Sequence, residues 1–183
     1  MRTVKMEAAG LASTAEPIPV TTLPPGFDDL YEHHADAVYQ TALRVMGNPA
    51  DAEDVLQNVF LRILDRGLTI DPNRSPAAYL RRAATNASLD LLRRRSVLPA
   101  AAIDEGRDYA SKEGGSEEGT ALLKVRLRRA LAKIPPGDAE LLVLCYLEGY
   151  SYDELAFLLD LEPGTVASRL HRIRAALRTL LSR

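Results

Sequence analysis

The clearest pattern in the chain lies at its C-terminal end, where Val166, Leu170, Ile173, Leu177 and Leu180 recur at spacings of three and four behind Pro163. That period predicts an amphipathic helix over residues 164–181, with the proline at a first helical position. At about 100° per residue, Thr165, Ser168, Arg169 and Arg172 share an arc beside the apolar stripe, while Arg174 and Arg178 take the opposite flank. From Thr165 onward there are five arginines and no acid. Upstream, three more helices are predicted over residues 121–133, 138–148 and 152–160. "SYDE" forms a capping box from Ser151 to Glu154, and Gly149 ends the helix before it. A short helix, a tight turn at "DLEPG" and a longer basic helix make a helix-turn-helix, with Ala156 small enough for the crossing and Leu161 plugging the turn.

An earlier stretch carries three further helical patterns. The first runs from Phe27 to Met46. The second restarts at "GNPADAEDVLQNVFLRIL", with Asn48 as N-cap, Pro49 at the first position, Asp51 closing the turn, and Val55, Leu56, Val59, Phe60 and Ile63 on its buried side. The third opens at Ser75-Pro76 and has a narrow stripe of Leu80, Ala83, Ala84, Ala87 and Leu91, small enough for close packing. Away from that stripe, Tyr79, Arg82, Asn86 and Arg93 line up on one face.

The fold class is therefore all-α: two small helical domains joined by a flexible linker, the second a four-helix unit with a helix-turn-helix. Residues 1–26 contain four prolines and little periodicity, which predicts a disordered tail, and Met6 is an alternative start. The domains are residues 27–97 and 121–183. Between them "LPAAAIDEGRDYASKEGGSEEGT", residues 98–120, is rich in Gly, Ser and acid and reads as linker. With 46% hydrophobic and 5% aromatic residues and no Trp, composition also favours helices. The single Cys145, inside "LLVLCYL", excludes an internal disulfide and reads as a buried thiol. No apolar run reaches the ~18 residues of a membrane span, and the start lacks the apolar stretch of a signal peptide. A cytoplasmic protein without membrane insertion is the expectation.

Charge sharpens this picture. The net charge of −2 is distributed unevenly, with two basic against six acidic residues over 98–120 and ten against seven over 121–183. Between Tyr79 and Ser96, five arginines face only Asp90. Two basic patches on an otherwise acidic chain suit selective binding of nucleic acid. A helix-turn-helix places the N-terminal residues of its second helix at base edges in the major groove, so Thr165, Ser168, Arg169 and Arg172 are the candidate contacts. The aromatic, amide and guanidinium groups of Tyr79, Arg82, Asn86 and Arg93 can stack on an unpaired base and hold phosphates. A metal enzyme built on Glu32, His33, His34 and Asp36 is disfavoured, because adjacent histidines point about 100° apart on a helix and no second ligand cluster exists. No metal site, cofactor or catalytic residue is expected.

Together, "GNPADAEDVLQNVFLRIL", "SPAAYLRRAATNASLDLLRRR" and "ALAKIPPGDAELLVLCYLEGYSYDELAFLLDLEPGTVASRLHRIRAAL" resemble the second and fourth regions of bacterial RNA polymerase sigma factors of the extracytoplasmic-function type. The resemblance covers about residues 27–97 and 121–183. It implies a promoter-specificity subunit that binds core RNA polymerase and initiates transcription of a stress or envelope-type regulon. Asp54, Gln57, Asn58, Phe60, Leu61 and Arg62 match the helix that docks on the β′ clamp helices. Tyr79, Arg82, Asn86, Asp90 and Arg93 match the helix that reads and opens the minus-ten element, and "RGLTIDPNRSP" matches the loop that captures a flipped base. Thr165, Ser168, Arg169 and Arg172 match the minus-thirty-five reading surface, and the acidic linker matches a segment threading the polymerase near the RNA path. The implied partners are core RNA polymerase, promoter DNA and an anti-sigma protein, with a monomer when free. A stand-alone helix-turn-helix regulator is the alternative, and it would bind a palindromic duplex without polymerase.

Two further points bear on recognition. Promoter elements about twenty base pairs apart lie ~70 Å from each other, whereas a flexible 23-residue linker spans ~25–30 Å on average and ~75 Å when stretched. A surface such as the polymerase has to hold the units apart, so the free chain is expected to bind promoter duplex poorly. The chain also departs from the family pattern: Ala167 replaces a frequent Lys, Asp160 a turn Gly, Glu162 a Ser cap, Thr85 a basic residue, and Asn58 a common acid.

Overall fold

A computed structural model describes residues 26–66, 75–97 and 117–182. Among these residues there are seven helices: α1 Phe27–Met46, α2 Pro49–Arg66, α3 Pro76–Val97, α4 Glu117–Lys133, α5 Pro136–Tyr146, α6 Tyr152–Leu159 and α7 Pro163–Leu181. The tail, most of the loop after α2 and residues 98–116 of the linker lie outside the described residues. The linker as read from sequence ends at residue 120, but α4 begins at Glu117; the polar run there is compatible with helix.

Local chemistry sets the helix boundaries. Asn48 Oδ1 accepts the Asp51 N–H at 2.8 Å, capping α2. The carboxylate of Asp51, almost fully buried, is gripped by both terminal nitrogens of Arg95, tying the start of α2 to the end of α3. α1 ends at Gly47, whose φ of 78° is left-handed. A side chain there would also meet the guanidinium of Arg128.

Helices α1 to α3 enclose one core, made of Val38, Ala42, Met46, Ala52, Val55, Val59, Phe60, Ile63, Leu80, Ala84 and Ala87. Phe27, Tyr31 and Phe60 close its end, with the Tyr31 and Phe60 rings 4.8 Å apart edge to face. Helices α4 to α7 enclose a second core, from Leu131 and Ile134 through Leu141–Leu144 and Leu155 to Val166, Leu170 and Ile173.

The two units pack against each other, which the sequence patterns do not foretell. Val45 of α1 and Leu89 of α3 are buried within the second core. Helix α3 is therefore covered on both sides. Its Leu80, Ala84 and Ala87 face the first core, Ala78 and Leu89 lie against the second, and Leu92 touches both. Thr85 and Ser88 are fully buried as well. Helix α5 is nearly apolar all round, because it touches both its own unit and α3.

Candidate nucleic-acid and polymerase interface

The helix-turn-helix is built as its residues dictate. Ser151 Oγ accepts the Glu154 N–H at 3.3 Å, and the Glu154 carboxylate accepts the Ser151 N–H at 2.7 Å, completing the capping box. Those hydrogen bonds hold the Glu154 carboxyl below its ordinary pKa. Asp160 ends α6 in the left-handed region at φ 55°, where the family pattern has glycine. Leu161 N–H then bonds the Ala156 carbonyl at 2.9 Å, and its side chain packs on the core. Pro163 opens α7, and the N-cap Glu162 makes no side-chain capping bond.

On α7, Val166, Leu170 and Ile173 are buried. Thr165, Ser168 and Arg172 are exposed, and the Arg172 guanidinium has no partner among the described residues. Arg169 shares the arc but is half-buried, bonded through Nη2 to the α5 residue Asp138 at 2.6 Å. Across the helix, Arg174 donates to the Tyr152 hydroxyl at 3.1 Å and lies 6.0 Å from the Tyr146 ring centre. Cys145 beside it is half-buried; burial raises its thiol pKa, opposed by the Arg174 charge.

The residues proposed for α2 divide. Asp54, Gln57, Asn58, Leu61 and Arg62 are exposed on one side, Leu61 at 61%. Phe60 is 3% exposed and belongs to the core with Val59, so it supports that face from beneath and does not stand on it. The period explains this: Phe60 continues the Val55, Val59, Ile63 stripe.

The α3 face is occupied. Arg82 Nε donates to Glu140 Oε1 of α5 at 2.6 Å, and its Nη1 to the Leu158 carbonyl of α6 at 3.2 Å. Asn86 Nδ2 donates to the same carboxylate at 2.8 Å. Tyr79 and Asp90 stay exposed, lying about 60–80° round the helix from Arg82. Arg93 pairs with Asp90 at 3.2 Å. Of the flipped-base loop, residues 67–74 lie outside the described residues. On α1, His33 Nδ1 is 2.6 Å from the Asp29 carbonyl, and no group of three or more His, Cys, Asp or Glu that could hold a metal occurs among the described residues.

Residues 30–97 match the Sigma-70 region 2 model and residues 124–177 the Sigma-70 region 4 model. The chain is 32% identical over 165 residues to the ECF RNA polymerase sigma factor SigW of Bacillus subtilis, covering 85% of this chain and 88% of that protein. It belongs to the extracytoplasmic-function RNA polymerase sigma factors. SigE of Mycolicibacterium smegmatis is 37% identical over 162 residues, 87% of this chain but 63% of the length of SigE. The solved structure of CnrH in complex with the cytosolic domain of CnrY is similar with a TM-score of 0.52 and 28% identity, covering 85% of this chain and 87% of CnrH. This sigma factor is a transcription initiation factor and not an enzyme. None of its described helices is long and apolar enough to cross a membrane.

Sequence reasoning missed Glu140 and Glu148 in this sigma factor. Both make polar contacts between its units, and the signal was an acid within the mostly apolar α5 and another two residues past its end.

Proposed function

We propose that this sigma factor docks on the β′ clamp helices of core RNA polymerase through Asp54, Gln57, Asn58, Leu61 and Arg62, with Phe60 setting the helix from below. Thr165, Ser168, Arg169 and Arg172 then read minus-thirty-five duplex, and Tyr79, Arg82, Asn86, Asp90 and Arg93 bind and open the minus-ten region. The protein works where the polymerase is, in the cytoplasm, on a stress or envelope-type regulon. The observation that best supports this reading is the exposed, acid-free arc of Thr165, Ser168 and Arg172 at the start of the second helix of a well-capped helix-turn-helix. An anti-sigma protein is the expected inhibitor, and the similar CnrH was solved with the cytosolic domain of another protein bound.

The test is a pull-down with core polymerase from a related bacterium, followed by transcription of a genomic promoter library. Binding, together with new start sites sharing two spaced elements, is the expected result. A chain that ignores polymerase but shifts duplex DNA by itself would sink the proposal in favour of a stand-alone regulator.

A further inference from the structure

We infer that Asp138 is a positioning residue that sets promoter specificity: it holds the Arg169 guanidinium by one edge and leaves the other edge for a guanine of the minus-thirty-five element. The inference rests on the proposed reading of that element by Arg169, and it adds a residue outside the recognition helix that decides how Arg169 reads.

Arg169 commits one edge of its guanidinium to a single carboxylate oxygen. Nε donates to Asp138 Oδ1 at 3.1 Å and Nη2 to the same oxygen at 2.6 Å. Nη1 has no partner among the described residues. A guanidinium presents its N–H donors as a rigid planar fork, so Nη1 and the second hydrogen of Nη2 remain as a parallel pair. That pair matches O6 and N7 of a guanine in the major groove. The holder is rigid too. Asp138 lies in the first turn of α5, where Pro135 and Pro136 set the entry and the Pro135 carbonyl accepts the N–H groups of Asp138 and Ala139 at 3.0 and 2.9 Å. Gly137 beside it makes room for the arginine. Its φ is not in the left-handed region, so the backbone does not call for glycine there. A Cβ, however, would lie 3.2 Å from Arg169 Nη2 and crowd the guanidinium.

A tie between α5 and α7 is a poor account of this pair by itself. The Asp138 and Arg169 side chains are 33% and 25% exposed, and an ion pair so open to water adds little to the fold. The two helices are already joined by Val166, Leu170 and Ile173, which share a core with Leu141 and Leu142. What the pair changes is the freedom of the arginine. An unheld arginine on a surface that meets DNA can turn to a phosphate, a contact that carries no sequence information. Held by one edge, Arg169 has lost that freedom before DNA arrives, and the acid beside it repels phosphate while the fork stays open to a base. Ordering one long side chain in advance is worth about two- to tenfold in affinity for the right base. Asp138 therefore acts on the choice between base and phosphate more than on total affinity.

The experiment uses holoenzyme, the full chain bound to core polymerase, on a duplex library made from one promoter recovered in the transcription screen with every position of its minus-thirty-five element randomised. Wild type is compared with Asp138→Ala, Asp138→Asn, Arg169→Ala and the double change Asp138→Ala with Arg169→Ala. Circular dichroism checks that each is folded, and Asp138→Asn, which keeps the shape and an acceptor, serves if the alanine variant folds poorly. Arg169→Ala is expected to cut the preference for guanine at one base pair at least about fivefold. Asp138→Ala is expected to cut it about two- to tenfold at that same pair, with Asp138→Asn retaining part of it. Both Asp138 variants are expected to bind a scrambled element at least as well as wild type, with a steeper salt dependence as Arg169 turns to phosphate. In the double change, loss of Asp138 is expected to alter the preference no further. Uniform weakening across all sequences by the Asp138 variants, or a guanine preference that Arg169→Ala removes and they leave intact, would overturn the role of Asp138 while the reading by Arg169 stands. If Arg169→Ala itself alters no base preference, the reading by Arg169 falls and this inference falls with it.

Discussion

Replacing Leu89 and Leu80 separately by Ala tests whether the two units are coupled or fused. Both side chains are essentially unexposed and both come from α3, but Leu80 sits in the first core and Leu89 in the second. Each truncation removes about three methylene equivalents, ~2.4 kcal/mol of transfer free energy, which rises to ~3–5 kcal/mol when the cavity cannot collapse. Leu80→Ala has no escape and is expected to cost the first unit that full amount. At a urea slope of about 1.5 kcal/mol/M, this moves the unfolding midpoint by roughly 2–3 M. At position 89 the cavity lies between units that can part, so the loss cannot exceed the free energy of closure. Its main effect is to weaken closure by ~2.4 kcal/mol, about 60-fold. Urea unfolding followed by circular dichroism, paired with small-angle scattering, separates the two. A Leu89→Ala protein as compact as wild type, with a midpoint shifted as far as that of Leu80→Ala, would refute the reasoning and make the halves one cooperative body.

Four further outcomes are expected. Arg172→Ala is expected to cost ~1–3 kcal/mol of holoenzyme affinity at one position of the minus-thirty-five element if the arginine reads a base, and to weaken all promoters alike if it holds phosphate, as competition binding on a promoter panel would show. Glu162→Ser, which supplies the missing cap of α7, is expected to stabilise the second unit by about 0.5–1 kcal/mol in thermal unfolding. Ser151→Ala is expected to destabilise by about 1 kcal/mol at neutral pH; because the Glu154 carboxyl is lowered by its bonds to Ser151, that part of the stability is complete above the ordinary carboxyl pKa and is lost as pH falls through the lowered one, so the wild-type advantage shrinks in acid. Cys145, its thiol raised by burial, is expected to alkylate with iodoacetamide more slowly at pH 8 than an unfolded control, and to catch up only in more alkaline solution.

What the sequence disclosed and what it hid follow from the range of the interactions. The start of α2 was legible because Asn48, Pro49 and Asp51 act within one turn, and the start of α6 because Ser151 and Glu154 do. Apolar stripes of period 3.6 placed every helix to within a few residues, and they placed Val166, Leu170 and Ile173 inside. The exposed arc on α7 followed from the same wheel. Phe60 was ambiguous, because the resemblance put it among docking residues while its own period put it in the core, and packing against Tyr31 decided the matter. The burial of Leu89, Thr85 and Ser88 was not legible, since nothing near them in the chain says that another unit will cover that side of α3.

The polar contacts between the units explain how this hidden half of α3 can be buried although it carries Arg82 and Asn86. An all-apolar α3 face would bury well against α5 but would present no hydrogen-bonding groups to a nucleic acid, and it would leave a sticky surface whenever the units parted. A face of Arg82 and Asn86 carries donors of the kind the proposed DNA contact needs, yet it can be buried only against a partner that supplies acceptors. The mostly apolar α5 carries such an acceptor at Glu140, opposite that pair. Leu89 beside them contributes the dispersion and desolvation that the polar pairs cannot. The net worth of a buried ion pair is small once desolvation is counted, so closure is held to a few kcal/mol, a scale that polymerase docking and promoter contacts can exceed. Replacing Glu140 by Leu would remove the specificity of this arrangement, leaving Arg82 without its anionic partner in the closed form and α5 with an exposed apolar side chain in the open one.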